Sequence, residues 1–227
     1  MTAAEREIVL LSDPRVAAIP VEETGDPLVH LASFGGISVA KGMPVPPLEV
    51  RRGSLGPVHA LVRLGLAVRL ARAARSLPPG IGLRVVEGYR PPELQRAYFE
   101  AYRLRLLRDD PSLTPDESRV LASRFVAPPA VAAHPSGAAV DLTLIDADGQ
   151  PLDMGTPIDA TPEASRGACC FDAPNIDAEA RARRHLLASC LEPEGIVNYP
   201  TEWWHWSYGD RYWAFTTGQA TAIYGPR

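Results

Sequence analysis

The stretch 195-GIVNYPTEWWHWSYGDRYWAF-215 decides how the fold is read. It is dense in aromatic and β-branched residues and is cut by Pro200 and by Gly209-Asp210, a pattern that predicts short strands between turns. Three strands are expected, at 195-GIVNY-199, 203-WWHWSY-208 and 211-RYWAF-215. Alternation along the middle one puts His205 with Trp203 and Ser207 on one face, and Trp204, Trp206 and Tyr208 on the other. In a straight strand Glu202 falls on the wrong side for His205. A bend or bulge near Glu202 is therefore required to bring the two together, and Pro200 supplies a break at the right place.

Upstream, 138-AAVDLTLID-146 alternates cleanly and reads as a further strand. Val140, Leu142 and Leu144 form its core face, while Ala139, Asp141 and Thr143 point away. A strand is also expected over 81-IGLRVVEGY-89. Helices fill most of the rest. One is expected over 55–77, where Leu61, Leu64, Val68 and Ala71 recur at helical spacing before Pro78-Pro79-Gly80. A second, over about 92–108, starts at a proline and carries Leu94, Tyr98, Tyr102 and Leu106. A third starts at Thr114 with Pro115 first and Glu117 three after the cap, ending near Val126. A fourth covers 176–192 with Ala178, Ala182, Leu186 and Cys190 near one face. Residues 1–50 read as irregular, with loop over 39–50, and 151–175 as a long loop. Helices mainly first and strands mainly late predict an α+β fold with a central antiparallel sheet flanked by helices. No linker divides the chain, so 1–227 is expected to form one domain.

Composition excludes several function classes. The 227 residues are 46% hydrophobic and 22% charged, with a net charge of -4, which suits a globular protein. No nucleic-acid partner is expected, since there is no dense basic run, and the arginines of 63-RLGLAVRLARAAR-75 read mostly as one helix's polar face. No membrane partner is expected either, because no apolar run is long enough to span one. The N-terminus has Glu5 and Glu7 before a short apolar run, where a signal peptide has a basic start and a longer apolar core. A cytoplasmic location is expected, or a periplasmic one if a leader has been removed. Cys169, Cys170 and Cys190 are odd in number and lack C-x-x-C spacing, so they read as free thiols.

Three segments concentrate the polar groups. In 134-HPSGAAVD-141, Gly137 lets the loop fold back so that the His134 imidazole approaches Asp141. In 202-EWWH-205, His205 supplies a second imidazole. Two histidines and an aspartate make an N,N,O set of the kind that holds a catalytic zinc, whose role is to acidify water and polarise a carbonyl. Glu202 is then the candidate base. Arg90, in 87-EGYRPP-92, is placed to bind the oxyanion that forms when water adds to a peptide carbonyl, with Tyr89 packed beside it. Each residue alone has a plainer reading: a core histidine, a salt-bridge aspartate, a solvated arginine. His30, His59 and His185 keep that plainer reading.

Together, EGYRP, 134-HPSGAAVD-141, LDMGTPID over 152–159 and EWWH over 202–205 resemble the D-alanyl-D-alanine dipeptidases, the zinc enzymes of vancomycin resistance and bacterial dipeptide turnover. The resemblance implies one Zn2+ per chain on His134, Asp141 and His205, with Glu202 as base and Arg90 stabilising the tetrahedral intermediate. It implies a small D,D-dipeptide as substrate and an acidic group for its free amino end. Asp153, Asp159 and Glu163 are available, and the motif match favours Asp159. Where the family commonly has Ser-His-His, this chain has 165-SRGACC-170. Two other functions fit the same residues: a D,D-carboxypeptidase acting on D-Ala-terminated peptidoglycan peptides, and a non-catalytic, zinc-containing peptide-binding module.

Overall fold

A computed structural model describes residues 8–41 and 56–227. Most of the loop expected over 39–50 lies outside the described residues, as do residues 1–7 and the first residue of the helix expected from 55. In chain order the elements are α1 (Pro14–Ala17), β1 (Leu28–His30), β2 (Ile37–Val39), β3 (Leu61–Arg63), α2 (Leu64–Ser76), β4 (Gly82–Glu87), α3 (Pro92–Asp109), α4 (Pro115–Ala122), β5 (Ala139–Ile145), α5 (Ala178–Leu191), β6 (Val197–Asn198), β7 (His205–Ser207) and α6 (Arg211–Thr217).

The fold is α+β, as expected, but its central sheet is mixed. Five strands run in the order β2-β4-β5-β7-β6. Four of them pair antiparallel, whereas β2 joins the edge parallel to β4. The sequence before residue 50 read as irregular, so β2 was not foreseen. A strand of three half-buried residues is too short for period-two alternation to stand out. A separate antiparallel pair joins β1 to β3.

β5 sits at the centre and is buried along its whole length. Its Val140, Leu142 and Leu144 enter the main core with Leu83 and Val85 of β4, Trp206 of β7, and Leu66, Ala67 and Leu70 of α2. Helix α3 buries Leu94, Tyr98, Tyr102 and Leu106 as its spacing predicts. Helix α4 starts with a capping box: the Thr114 hydroxyl accepts from the Glu117 N–H, while the Glu117 carboxylate accepts from the Thr114 N–H, matching two backbone donors that helix ends leave open.

Three expected elements differ. The helix from 55 begins at Leu64, because Leu61–Arg63 pair with β1 instead. Its buried face is Leu66, Ala67, Leu70, Ala71 and Ala73, and Leu64 is exposed. In α5 the buried stripe is Ala180, Arg184, Leu187, Ala188 and Leu191, ending with Cys190, while Ala178 and Ala182 face solvent. A charged residue in the buried stripe had hidden its phase. The strand expected at 211–215 is helix α6. The Asp210 side chain caps it by accepting from the Tyr212 and Trp213 N–H groups, and Gly218 ends it at φ 70°. A short apolar run does not separate helix from strand by period; the flanking Asp and Gly were the informative signals.

Candidate metal and catalytic site

Asp141 and His205 are directly opposed across β5 and β7, so both side chains lie on the same side of the sheet. The His205 Nδ1 is 3.0 Å from Asp141 Oδ1. His134 arrives from the loop before β5. Gly137 turns that loop at φ 67°, where a Cβ would also lie 2.4 Å from Leu28 Cδ2. The turn puts His134 Nε2 3.4 Å from Asp141 Oδ2, and the two imidazole centres are 4.9 Å apart.

The other face of the His134 ring is held. Its Nδ1 is 2.7 Å from the Gly88 carbonyl, which fixes Nδ1 as the donor and leaves the Nε2 lone pair for the site, a recurring arrangement around metal-binding histidines. Gly88 is itself required, since a Cβ there would meet the Leu61 carbonyl at 2.5 Å. One ligand atom from each of His134, Asp141 and His205 lies within 4.8 Å of the others, and all three residues are buried. Two imidazole nitrogens and one carboxylate oxygen in this arrangement suit a divalent metal with an open position.

Two further carboxylates reach the site through departures from regular strand geometry. The backbone turns at 199–204, with the Glu202 N–H donating to the Tyr199 carbonyl and the His205 N–H to that of Glu202. This is the bend that strand parity demanded, and it leaves Glu202 Oε2 3.9 Å from His205 Nδ1. The same turn overrides parity for Trp203. Its side chain lies in the main core, with its indole N–H donating to Thr156 Oγ1. Glu87, not expected at the site, comes by a bulge. Register shifts between Val85 and Glu87, so that Glu87 pairs with Asp141. Without the extra residue, Glu87 would share the core face of Leu83 and Val85.

Glu87 grips Arg90 through two bonds, Nε to Oε1 at 2.8 Å and an Nη to Oε2 at 2.5 Å. The Gln95 side-chain oxygen accepts a third at 2.8 Å. Two of the five guanidinium N–H groups then have no protein acceptor among the described residues, and Arg90 lines the cavity beside His134 and Glu202. The ring over the guanidinium is that of Tyr98, with 5.0 Å to its centroid, instead of Tyr89, whose hydroxyl donates to the Arg227 carbonyl. Glu87 was legible in retrospect, three residues before Arg90 within the same motif. Gln95 carried no such signal.

Asp159 also lines this cavity. It is one of two non-glycine residues at positive φ among those described, at 66°, a conformation Asp tolerates better than most. Asp153 and Glu163 are placed elsewhere: the Asp153 carboxylate caps the Gly155 N–H, and Glu163 accepts from the Tyr102 hydroxyl. The cavity holds about 40 Å³ of free volume and is walled by Leu11, Phe125, Tyr199 and Trp204. Leu11 was not foreseen. Its N–H meets the Tyr199 hydroxyl at 3.2 Å, and that hydroxyl donates to the Ser123 carbonyl.

Electrostatics separate the carboxyls. Burial opposes the Asp141 charge, but His134 and His205 outweigh it and hold the carboxyl far below the usual range. Burial likewise opposes a His134 cation, yet the Asp141 charge raises that imidazole above its ordinary value. Glu202 moves the other way: burial first, then the charges of Asp141 and Asp159, push it well above the ordinary carboxyl. Buried Arg90 stays charged because Glu87 offsets its desolvation.

Residues 58–220 match the family model described as Peptidase_M15, D-ala-D-ala dipeptidase. A D-alanyl-D-alanine dipeptidase of Synechocystis sp. is 30% identical over 227 residues, covering 89% of this chain and 90% of that protein. One of Escherichia coli K12 is 28% identical over 146 residues, covering 64% and 62%. Among solved structures, the vancomycin resistance D,D-pentapeptidase VanY in complex with Zn(II) is 20% identical, covering 78% of this chain and 90% of that one, with a TM-score of 0.36. The LD-carboxypeptidase LdcB is 17% identical, covering 86% and 73%, with a TM-score of 0.34. By the extent of the family match and the length over which the cyanobacterial relative aligns, this chain belongs to the D-ala-D-ala dipeptidase family of M15 peptidases.

Proposed function

We propose that the protein hydrolyses the peptide bond of D-alanyl-D-alanine or a closely related D,D-dipeptide, using one zinc ion per chain held by His134, Asp141 and His205. The observation that carries this reading is the meeting, in one small cavity, of that ligand set with Glu202, Arg90 and Asp159. When bound, zinc supplies Lewis acidity, which makes water a nucleophile near neutral pH and polarises the scissile carbonyl.

The chain's own residues do the rest. Glu202 accepts a proton from the attacking water and passes it to the leaving amine, the two-way role of a positioned general base. The two uncommitted N–H groups of Arg90 meet the charge that develops on the carbonyl oxygen, and because Glu87 and Gln95 already hold the guanidinium, little reorganisation is needed as the charge forms. Asp159 pairs with the substrate's free ammonium and selects an unblocked amino end. A small cavity walled by Leu11, Phe125 and Tyr199 suits a dipeptide better than a D-Ala-terminated pentapeptide.

Glu202→Ala should keep stoichiometric zinc by elemental analysis and lose most turnover. Retained turnover would remove Glu202 from its role. His205→Ala should lose zinc, and full metal content in that variant would overturn the ligand set. Rates on free D-Ala-D-Ala and on a pentapeptide ending in it separate the two peptidase readings. Faster cleavage of the pentapeptide would support the carboxypeptidase, and zinc binding with no cleavage of either would support the binding module.

A further inference from the structure

Cys169 and Cys170 lie outside the catalytic set but are tied to it. The Cys169 carbonyl accepts the Trp203 N–H at 2.9 Å, and the next residue but one, Phe171, donates its N–H to the Pro200 carbonyl at 2.9 Å. These two bonds bracket Glu202. The thiol-bearing segment is anchored from its other side by Arg184, which donates to the carbonyls of Ala168, Cys170 and Phe171. The two thiols differ in access, with Cys169 buried and Cys170 partly exposed. The Cys170 thiol is drawn down to about 7 by the neighbouring Cys169 thiol, against burial and with help from the charges of Arg124 and Arg184. Cys169 is pushed up by its Cys170 neighbour and by burial. Cys190, by contrast, is buried in α5 and raised to about 12.

We propose that Cys170 is a reactive thiol that organic or hydrogen peroxides oxidise, that Cys169 then closes a disulfide with it, and that the closure displaces the turn holding Glu202 and lowers hydrolysis. In the first step the Cys170 thiolate attacks a peroxide oxygen. An S–O bond forms, the O–O bond breaks, and the alkoxide or hydroxide leaves and takes up a proton. In the second step the Cys169 sulfur attacks the sulfenic acid, the S–S bond forms, the S–O bond breaks, and the Cys169 proton leaves with hydroxide as water. Two thiols lose two electrons and the peroxide is reduced to an alcohol or water.

Adjacent Cα atoms sit about 3.8 Å apart across a trans peptide, closer than the roughly 4.4–6.8 Å of ordinary disulfides. Closing the bridge must therefore shift the local backbone, whose Cys169 carbonyl holds Trp203. The strain also makes the bond readily reducible, so the change is reversible.

The activity arm rests on the hydrolase reading above, whereas the thiol arm does not. Zinc-loaded protein is treated with iodoacetamide at pH 7.5, or with tert-butyl hydroperoxide, and the peptide containing residues 167–181 is mapped by mass spectrometry. Cys170 should alkylate at least about tenfold faster than Cys190. After peroxide the same peptide should lose two hydrogen atoms in mass, with hydrolysis of D-Ala-D-Ala falling severalfold and returning on addition of a phosphine. Cys170→Ser and Cys169→Ala should each stay active and resist peroxide inactivation. If Cys190 reacts as fast, if the product is a sulfinic acid without a bridge, or if bridged protein keeps its full rate, the proposal fails. If the bridge forms in a protein that cleaves no dipeptide, the hydrolase reading fails and the thiol chemistry stands.

Discussion

Arg63 and Arg90 are both buried guanidiniums. Each is clasped by a glutamate through two bonds and lies 5.0 Å from an aromatic ring centroid. They differ in what is left over. All five N–H groups of Arg63 are committed: to Glu23, and to the carbonyls of Asp26, Ser136 and Gly225. It joins the residue-23 segment, the His134 loop and the C-terminal segment into one scaffold. Arg90 commits three and faces the cavity with two. A saturated buried cation holds structure together, whereas in the mechanism proposed above one held but unsaturated beside a cavity meets a charge that arrives later.

The sharpest way to break this contrast is Arg63→Met. Three carbonyls and one carboxylate lose their donor, so stability should fall by about 3–5 kcal/mol. The melting temperature should drop on the order of 10 °C for a chain of this size, while kcat of the still-folded protein stays within about threefold. A variant with normal melting but no turnover would reverse the assignments. Arg90→Met should separate from it in turnover. Its kcat should fall by about 10²–10³, as for loss of an oxyanion donor, in protein that still folds, with melting also lowered because Glu87 is left buried without its partner, and an unchanged kcat would make Arg90 merely structural.

Glu87→Gln sharpens the contrast by leaving Arg90 in place and loosening its grip. As a positioning residue, Glu87 should affect kcat, by about tenfold, far more than KM. An equal change in both would point to binding instead. The smallest effect is expected from Glu23→Gln. Burial opposes the Glu23 charge, but the N–H groups of Gly225 and Gly25 and the Arg63 guanidinium together lower its carboxyl below the ordinary value. A lowered folded-state value means that this stability is present above the unfolded-state pKa and is lost as pH falls through the folded one. The Glu23 side chain is 37% exposed, so screening limits the gain to about 1 kcal/mol. Glu23→Gln should flatten the acid side of a stability–pH curve, and an unaltered curve would show that the backbone carbonyls alone hold Arg63.

Two of the three buried arginines also mark where the sequence misled. Arg63 read as part of a helix's polar face, yet it ends β3 with no exposed surface. Arg184 hid the buried stripe of α5 by occupying it, donating to the Met154, Ala168, Cys170 and Phe171 carbonyls. Burial reads from hydropathy only when buried residues are apolar, and a guanidinium with enough acceptors breaks that rule. The acceptors come from segments far apart in the chain, so no local pattern announces them. The α6 error was of another kind, since five residues are too few to show a period and the caps at Asp210 and Gly218 carried the information.

What the sequence determined by itself was local and periodic. Alternation in β5 set Asp141 against the leucine face, helical spacing placed the α3 core, and Thr114 with Glu117 declared a cap. The sequence even stated that Glu202 must sit at a bend, because parity and chemistry disagreed there. Tertiary structure alone decided what crosses between segments: the parallel edge at β2, the bulge that turns Glu87 toward Arg90, and the closing of the cavity by Leu11. The physical reason is that each depends on a partner distant in the chain, whose position is set by packing and hydrogen-bond satisfaction and not by neighbouring residues.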